Sequence, residues 1–313
     1  MARRLAYLRT FALPGLQIDA RWLQLAAVGS FIAYAVLVLH AAILPANVLA
    51  FVATALLAER IACAVAPARG FDFRSPLVTA LSLTLLLRTD DVRIAIAAAA
   101  FAIATKHLVR VRGKHLFNPS NIAIVVFTVG TAAAATFPGG QSLAGLGTAW
   151  VSPGSWGHAA MLVGLVACIG ALVTARATRL DLALAFIGLW AAALFARALW
   201  LGDPLAIPLH QLCDGTLLIF TFFMITDPRA TPDARPARVL FAAALVLVAY
   251  LLRFHAWQPD ALLWALALVS PLSPLLDRRW PATRFTWREA EATGVATPPV
   301  VPSPRTRAVL AHA

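Results

Sequence analysis

The sequence predicts an all-α integral membrane protein: about ten transmembrane segments as two inverted five-segment repeats, with segments three and eight short or re-entrant. Three observations carry that expectation: charge-free apolar runs, a one-sided distribution of basic residues, and a pair of short segments that match at a fixed offset. Of 313 residues, 61% are apolar and only 13% charged, against roughly 25% charged in a soluble domain. A soluble globule is excluded. No acidic or basic residue lies between Arg21 and Glu59 or between Lys114 and Arg176, and each gap has room for membrane helices of about 20 residues.

Taken in order, the apolar segments run over 22–43, 45–66, 76–88, 91–108, 119–137, 156–175, 181–200, 214–226, 237–253 and 258–276. With the N-terminus inside, 22 of the 26 basic residues fall on the inner side, and only Arg88, Arg93, Arg197 and Arg253 fall on the other. That asymmetry is far more than the positive-inside rule needs. Dropping any one segment scrambles it. The expected organisation is a basic cytoplasmic N-terminus (1–21), a first repeat (22–137), an external glycine-rich loop (138–155), a second repeat (156–279) and a disordered cytoplasmic tail (280–313) rich in proline, threonine and arginine. The opening MARRLAYLRT resembles a signal-peptide n-region. The apolar run after it is too long for an h-region and no small-residue cleavage site closes it, so it is expected to be retained.

Segment three, SPLVTALSLTLLLRTDD, and segment eight, CDGTLLIFTFFMITDP, match at an offset of 137 residues. Thr79 falls on Thr216, Thr84 on Thr221 and Thr89-Asp90 on Thr226-Asp227. Five segments per half is an odd number, so the second copy enters the membrane from the opposite side. Paired short helices of such repeats end near the midplane, where their free backbone groups serve a bound group. Leucine-rich helices aligning by chance is the plainer account of the match.

The net charge of +12 does not point to nucleic acid, because the basic residues sit in short clusters between apolar runs rather than on one folded polar face. Cys63, Cys168 and Cys213 show no CxxC or Cys/His spacing and read as small core hydrophobes. No metal site is expected. No Walker A, GxGxxG, HExxH or GxSxG motif is present, so any chemistry belongs to a cofactor.

Two stretches carry candidate binding residues. In KHLVRVRGKHLFNPSN, Lys106 precedes Asn118, Pro119 and Asn121. Asn118 suits a helix cap and Pro119 a first turn, but capping does not explain Asn121, an amide carried into the apolar run. In FFMITDPRATP, Thr226 and Asp227 end segment eight and Pro228 stops it. An acid at a helix C-terminus is opposed by the dipole. Asp227 is therefore either solvated or hydrogen-bonded to a ligand or to the other repeat. Lys106 is its expected partner, since the topology brings these elements to one face.

These stretches, with SPLVTALSLTLLLRTD and ALLWALALVSPLSPLLDRR, resemble the RnfD/NqrB family over about residues 20–280. The family comprises membrane subunits of the Rnf electron-transport complex and of the sodium-pumping NADH:quinone oxidoreductase. The resemblance rests on Lys106 followed by Asn118-Pro119, and on Phe222-Phe223-Met224 before Thr226-Asp227-Pro228. It implies an electron-transport subunit in the bacterial inner membrane with other membrane subunits as partners, both termini cytoplasmic. It also implies flavin, as FMN or riboflavin. Family members that carry covalent FMN join it to a threonine in a Ser-Gly-Ala-Thr-like sequence between segments five and six, and that motif is absent here. Thr148, in Gly-Leu-Gly-Thr, is the one threonine left in that loop, so non-covalent flavin is the expectation. The shorter HLFNPSN pattern resembles the branch that includes UnbU-type proteins of enediyne clusters. A small-solute permease or channel on the same scaffold, or a non-catalytic assembly subunit, remains an alternative.

Overall fold

The computed structural model describes residues 19–65, 70–136, 147–152 and 160–285. Residues 20–284 form one unit, and the other unit, 1–19 with 285–313, contributes only Asp19 and Phe285 to the described residues. The expected N-terminal segment up to residue 18 and the tail beyond 285 lie outside them.

Twelve helices make up the described part. The first half contains α1 (Ala20–Leu37), α2 (Pro45–Val65), α3 (Arg74–Leu86), α4 (Val92–Leu108) and α5 (Pro119–Thr136). The second contains α6 (Ala160–Arg176), α7 (Leu180–Leu201), α8 (Ala206–Leu212), α9 (Gly215–Ile219), α10 (Arg235–Phe254), α11 (Ala261–Val269) and α12 (Leu272–Arg279). Each apolar segment read from the sequence has a helix at its place. Four helices, α1, α2, α7 and α10, are long and apolar enough to cross a membrane alone. Two bent pairs, α8 with α9 and its continuation at 50°, and α11 with α12 at 48°, raise the number to six when each is taken as one span. The outward faces fit lipid: Leu49, Leu57, Ile61, Leu199 and Leu247 are all more than half exposed, on helices with no charged stripe to hold water. The chain is a multi-pass membrane protein.

Local chemistry sets the helix ends. Asp91 caps α4 by accepting from the Arg93 N–H at 2.8 Å. Asp214 caps α9 by accepting from the Thr216 and Leu217 N–H groups. At its C-terminus, α7 closes on Gly202 with φ 74°, a left-handed position that suits glycine.

Segments three and eight are short, and their continuations differ. Helix α3 has 13 residues and runs into strand β1 (Leu87–Thr89), which pairs antiparallel with β4 (Ala149–Val151). The expected external loop therefore contains a strand. β1 is buried at all three positions, and an extended backbone buried among apolar helices must find its hydrogen bonds within protein. β4 supplies them, and Ser152 N–H adds a bond to the Leu86 carbonyl. Segment eight instead continues from α9 into a π-helical segment, Phe220–Met224. There Phe220 meets Phe186 of α7 at 5.5 Å and Phe223 meets Phe31 of α1 at 5.8 Å. A Cβ on Gly170 of α6 would stand 2.5 Å from Phe222 Cγ, so only glycine admits this close approach. The matched threonines behave alike: Thr84 and Thr221 each donate to the carbonyl four residues back.

The halves interlock, α1 packing on α6 and α5 on α11. Between α4 and α5 a hairpin pairs β2 (Arg110–Val111) with β3 (Lys114–His115). Its turn residues Arg112 and Gly113 have φ 52° and 83°, the two positive values of a type I′ turn. Of the cysteines, Cys63 is buried as expected, but Cys168 and Cys213 are exposed, because α6 and the loop before α9 turn those positions outward.

A test of orientation follows from the exposed positions of this fold. In a background with all three cysteines replaced by alanine, a cysteine at exposed Thr148 should react with an impermeant thiol reagent in intact cells. One at exposed Arg229 should react only after permeabilisation. The reverse pattern would invert the topology.

Candidate functional site

The C-terminal end of α4, the β2–β3 hairpin, the start of α5 and the loop after the π-helical segment converge at one end of the bundle. Asn118 links them. Its Oδ1 accepts from the Asn121 N–H at 3.1 Å and the Ser120 hydroxyl at 2.9 Å, which caps α5. Its Nδ2 donates to the Met224 carbonyl of the second half at 3.0 Å. Pro119 occupies the first helical position, as its sequence context predicts. One turn on, Asn121 is 1% exposed and donates Nδ2–H to the Leu263 carbonyl of α11 at 3.0 Å. Its Oδ1 has no partner among the described residues.

Lys106 is buried in α4, but its partner is not Asp227. Its Nζ lies 2.8 Å from Oε2 of Glu59 on α2, which also receives His107 Nε2 at 3.0 Å. The reason is the packing of α4 on α2, a rotation about the helix axis that sequence spacing does not reveal. Glu59 is nonetheless detectable, as the one acid in the membrane segment 45–66.

Thr226 donates to the Phe222 carbonyl at 2.6 Å, and Asp227 Oδ1 accepts from the Arg229 N–H at 2.9 Å. The half-buried Asp227 carboxyl is pushed up from the ordinary carboxylate range by burial, against the pull of the Arg229, Arg179 and Lys106 charges. Pro228 offers its carbonyl to Arg179 Nη2 at 3.3 Å. The structure thus gathers Lys106, Asn118, Pro119, Asn121, Thr226, Asp227 and Pro228. Thr148 stands apart. It is exposed, its N–H donates to Asp90 at 2.8 Å, and it lies beyond the opposite end of α4, about 25 Å away at 1.5 Å per residue.

Around the cluster runs an ion-pair network that no motif in the sequence announces. Lys114 bridges Asp277 at 2.8 Å and Asp233 at 3.1 Å, Arg179 pairs with Asp233 at 3.2 Å, and Arg238 pairs with Asp181 at 2.6 Å. It fastens the hairpin to α7, α10 and α12. Its one trace in the sequence is the recurrence of acids beside the basic clusters of that side. His115, 6% exposed on β3, has an unpartnered Nδ1. Burial and the charges of Arg110, Arg229 and Lys106 hold its pKa down to about 3, so the ring is neutral.

Two outcomes are expected. Glu59→Leu or Lys106→Met alone strands a buried charge and should lower stability by about 3–5 kcal/mol, while the double variant should recover most of that. Thermal unfolding of the three variants in detergent checks this. His115 binds no proton when folded until about pH 3, whereas the unfolded chain takes one near pH 6.5. Its contribution is thus complete above about pH 6.5 and lost on acidification toward pH 3, with a slope of at most about 1.4 kcal/mol per pH unit. His115→Gln should flatten the fall in Tm between pH 7 and 5.

The RnfD protein of the ion-translocating oxidoreductase complex of Pseudomonas paraeruginosa is 28% identical over 261 residues, 69% of this chain and 76% of that protein. The proteins of the same name from Erwinia tasmaniensis and Escherichia coli are 31% and 33% identical over 137 residues, 43% of this chain. Over that match the chain spans about a third of the length of those two relatives. The model of the NQR2, RnfD, RnfE family matches residues 19–285, from the start of α1 to the end of the described residues, and the chain belongs to that family.

Proposed function

We propose that the chain is a membrane subunit of an ion-translocating oxidoreductase complex in the bacterial inner membrane. In this reading it holds FMN or riboflavin without a covalent bond and relays electrons with partner subunits. The two five-segment halves are inverted repeats crossing the membrane ten times, with both termini in the cytoplasm. The family supports the subunit role, since relatives of this chain carry that name. For the cofactor, the supporting observation is Asn121 Oδ1, a buried acceptor without a partner at the junction of α5 and α11. Buried polar atoms are rarely left unpaired, and each one needs an explanation.

A flavin supplies one- and two-electron transfer when bound. The residues present fit such a group. Asn121 Oδ1 accepts an N–H or a hydroxyl hydrogen. Asn118 and Pro119 fix the first turn of α5 and so the direction of that oxygen. Asp227 offers a second acceptor. The Arg110 and Arg229 charges, which bear on the neighbouring His115, favour an electron-rich ring or a phosphate at this end. The Phe222 and Met224 side chains, both buried, keep water from the same end.

The test is the colour of the purified full-length protein. A flavin absorption band should copurify or develop on adding riboflavin or FMN, and the flavin should be released on denaturation. Asn121→Leu should weaken flavin binding about tenfold, equivalent to about 1.4 kcal/mol, with Tm unchanged or raised. Asp227→Asn should weaken it less. A protein that takes up neither flavin, or an Asn121→Leu variant that binds as well as the parent, overturns the assignment.

A further inference from the structure

Arg88 lies in β1, at the other end of α4 from the site above, and its side chain is 8% exposed. Its Nε donates to Ser152 Oγ at 3.3 Å and its Nη1 to the Thr84 carbonyl at 3.1 Å. Among the described residues Nη2 has no protein partner, and no carboxylate stands within ion-pair distance of the guanidinium. The acids on adjoining stretches are engaged elsewhere. Asp90 accepts from Thr148 N–H, Asp91 binds Arg93, and Asp214 caps α9. The last-turn carbonyls of α3 offset the charge only in part, since a helix end carries about half a unit charge. Buried arginines are otherwise paired, because a lone buried charge is strongly disfavoured.

Arg88 also lines a cavity of about 310 Å³. Leu85 and Leu86 of α3 form one wall, Thr216 and Ile219 of α9 face it from the second half, and Trp150 of β4 completes it. That volume is at the lower end of those that hold small ligands. The lining is mostly apolar, with one cation and the hydroxyls of Thr216 and Ser152 as its polar groups.

We infer that this cavity binds an organic monoanion, a carboxylate carried on a small apolar body, with Arg88 as the cation that recognises it. The charge count selects the class. One guanidinium balances one negative charge, whereas a phosphate dianion would leave an excess charge in an apolar cavity. Arginine's planar fork suits a carboxylate in particular. The apolar walls hold the body of the ligand, and Thr216, which lines the same cavity, is the group assigned to the second oxygen. This site is independent of the flavin reading, which concerns the opposite end of α4.

Benzoate is the probe, titrated into the full-length protein in neutral detergent and followed by calorimetry. Saturable binding is expected, at least tenfold weaker in Arg88→Gln, weaker for inorganic phosphate than for benzoate, and absent for benzyl alcohol, which has the same body without the charge. As a check that does not depend on the folding of Arg88→Gln, benzoate should slow thiol labelling of Thr216→Cys in a background lacking Cys168 and Cys213. Absence of saturable benzoate binding, equal binding by Arg88→Gln, tighter binding of phosphate, or unprotected Thr216→Cys would each overturn the inference.

Discussion

The structure depends on how an apolar interior disposes of backbone groups that no helix satisfies. Segments three and eight are both short, and each ends in carbonyls that no next helical turn takes. In lipid each such group costs several kcal/mol. Two buried asparagines answer this. Asn47 of α2 donates Nδ2–H to the Thr89 carbonyl at 2.7 Å, and Asn118 donates to the Met224 carbonyl at 3.0 Å. The second bond is the more consequential, because the same side chain caps α5 through its other atom. One residue therefore sets where the second half's short helix ends and where the first half's fifth helix begins. Asn121, three residues on, inherits its position from that bond.

Much of this is legible in the sequence, and the rest is hidden for definite reasons. Charge-free runs locate the helices because a membrane core admits few charges, and Asn118-Pro119 announces a helix start because capping is local chemistry. The β1–β4 pair is not legible. A three-residue strand buried on both faces shows no alternation, and the residues that pair lie about 60 apart in the chain. The π-helical segment is equally silent, since FTFFM reads as ordinary helix. Lys106 stands out in the sequence as a cation that needs a partner, but the sequence points to the wrong one. The choice between Glu59 and Asp227 depends on helix rotation, which a period of 3.6 residues fixes only once the neighbours are known.

The distribution of charge sorts structural from functional groups. At the Asn118 end, Lys114, Arg179 and Arg238 are matched by Asp277, Asp233 and Asp181. Matched pairs of this kind hold elements together and contribute no net field at a distance. Among the described residues, once the pairs are set aside, two buried atoms lack a partner, Asn121 Oδ1 and His115 Nδ1, and Arg88 Nη2 makes no bond to protein at the edge of a cavity. The His115 ring is set apart from the others by its neighbours, because burial and the three cations around it make the neutral ring the stable form.

The other two have no such explanation among the described residues, and they differ in kind. Asn121 presents an acceptor amid positive potential, so it suits a group that donates a hydrogen bond and carries electron density nearby. Arg88 presents a donor amid apolar walls, so it suits a group that brings its own charge and its own apolar surface. Each sits where a short segment of one half meets the other half, Asn121 beside the end of the π-helical segment and Arg88 between α3 and α9. A short segment produces both effects at once. It removes a turn of helix that would have filled the space, and it leaves polar groups facing what remains. The arrangement that makes the two halves difficult to close is thus also what leaves a cavity at the Arg88 end of α4.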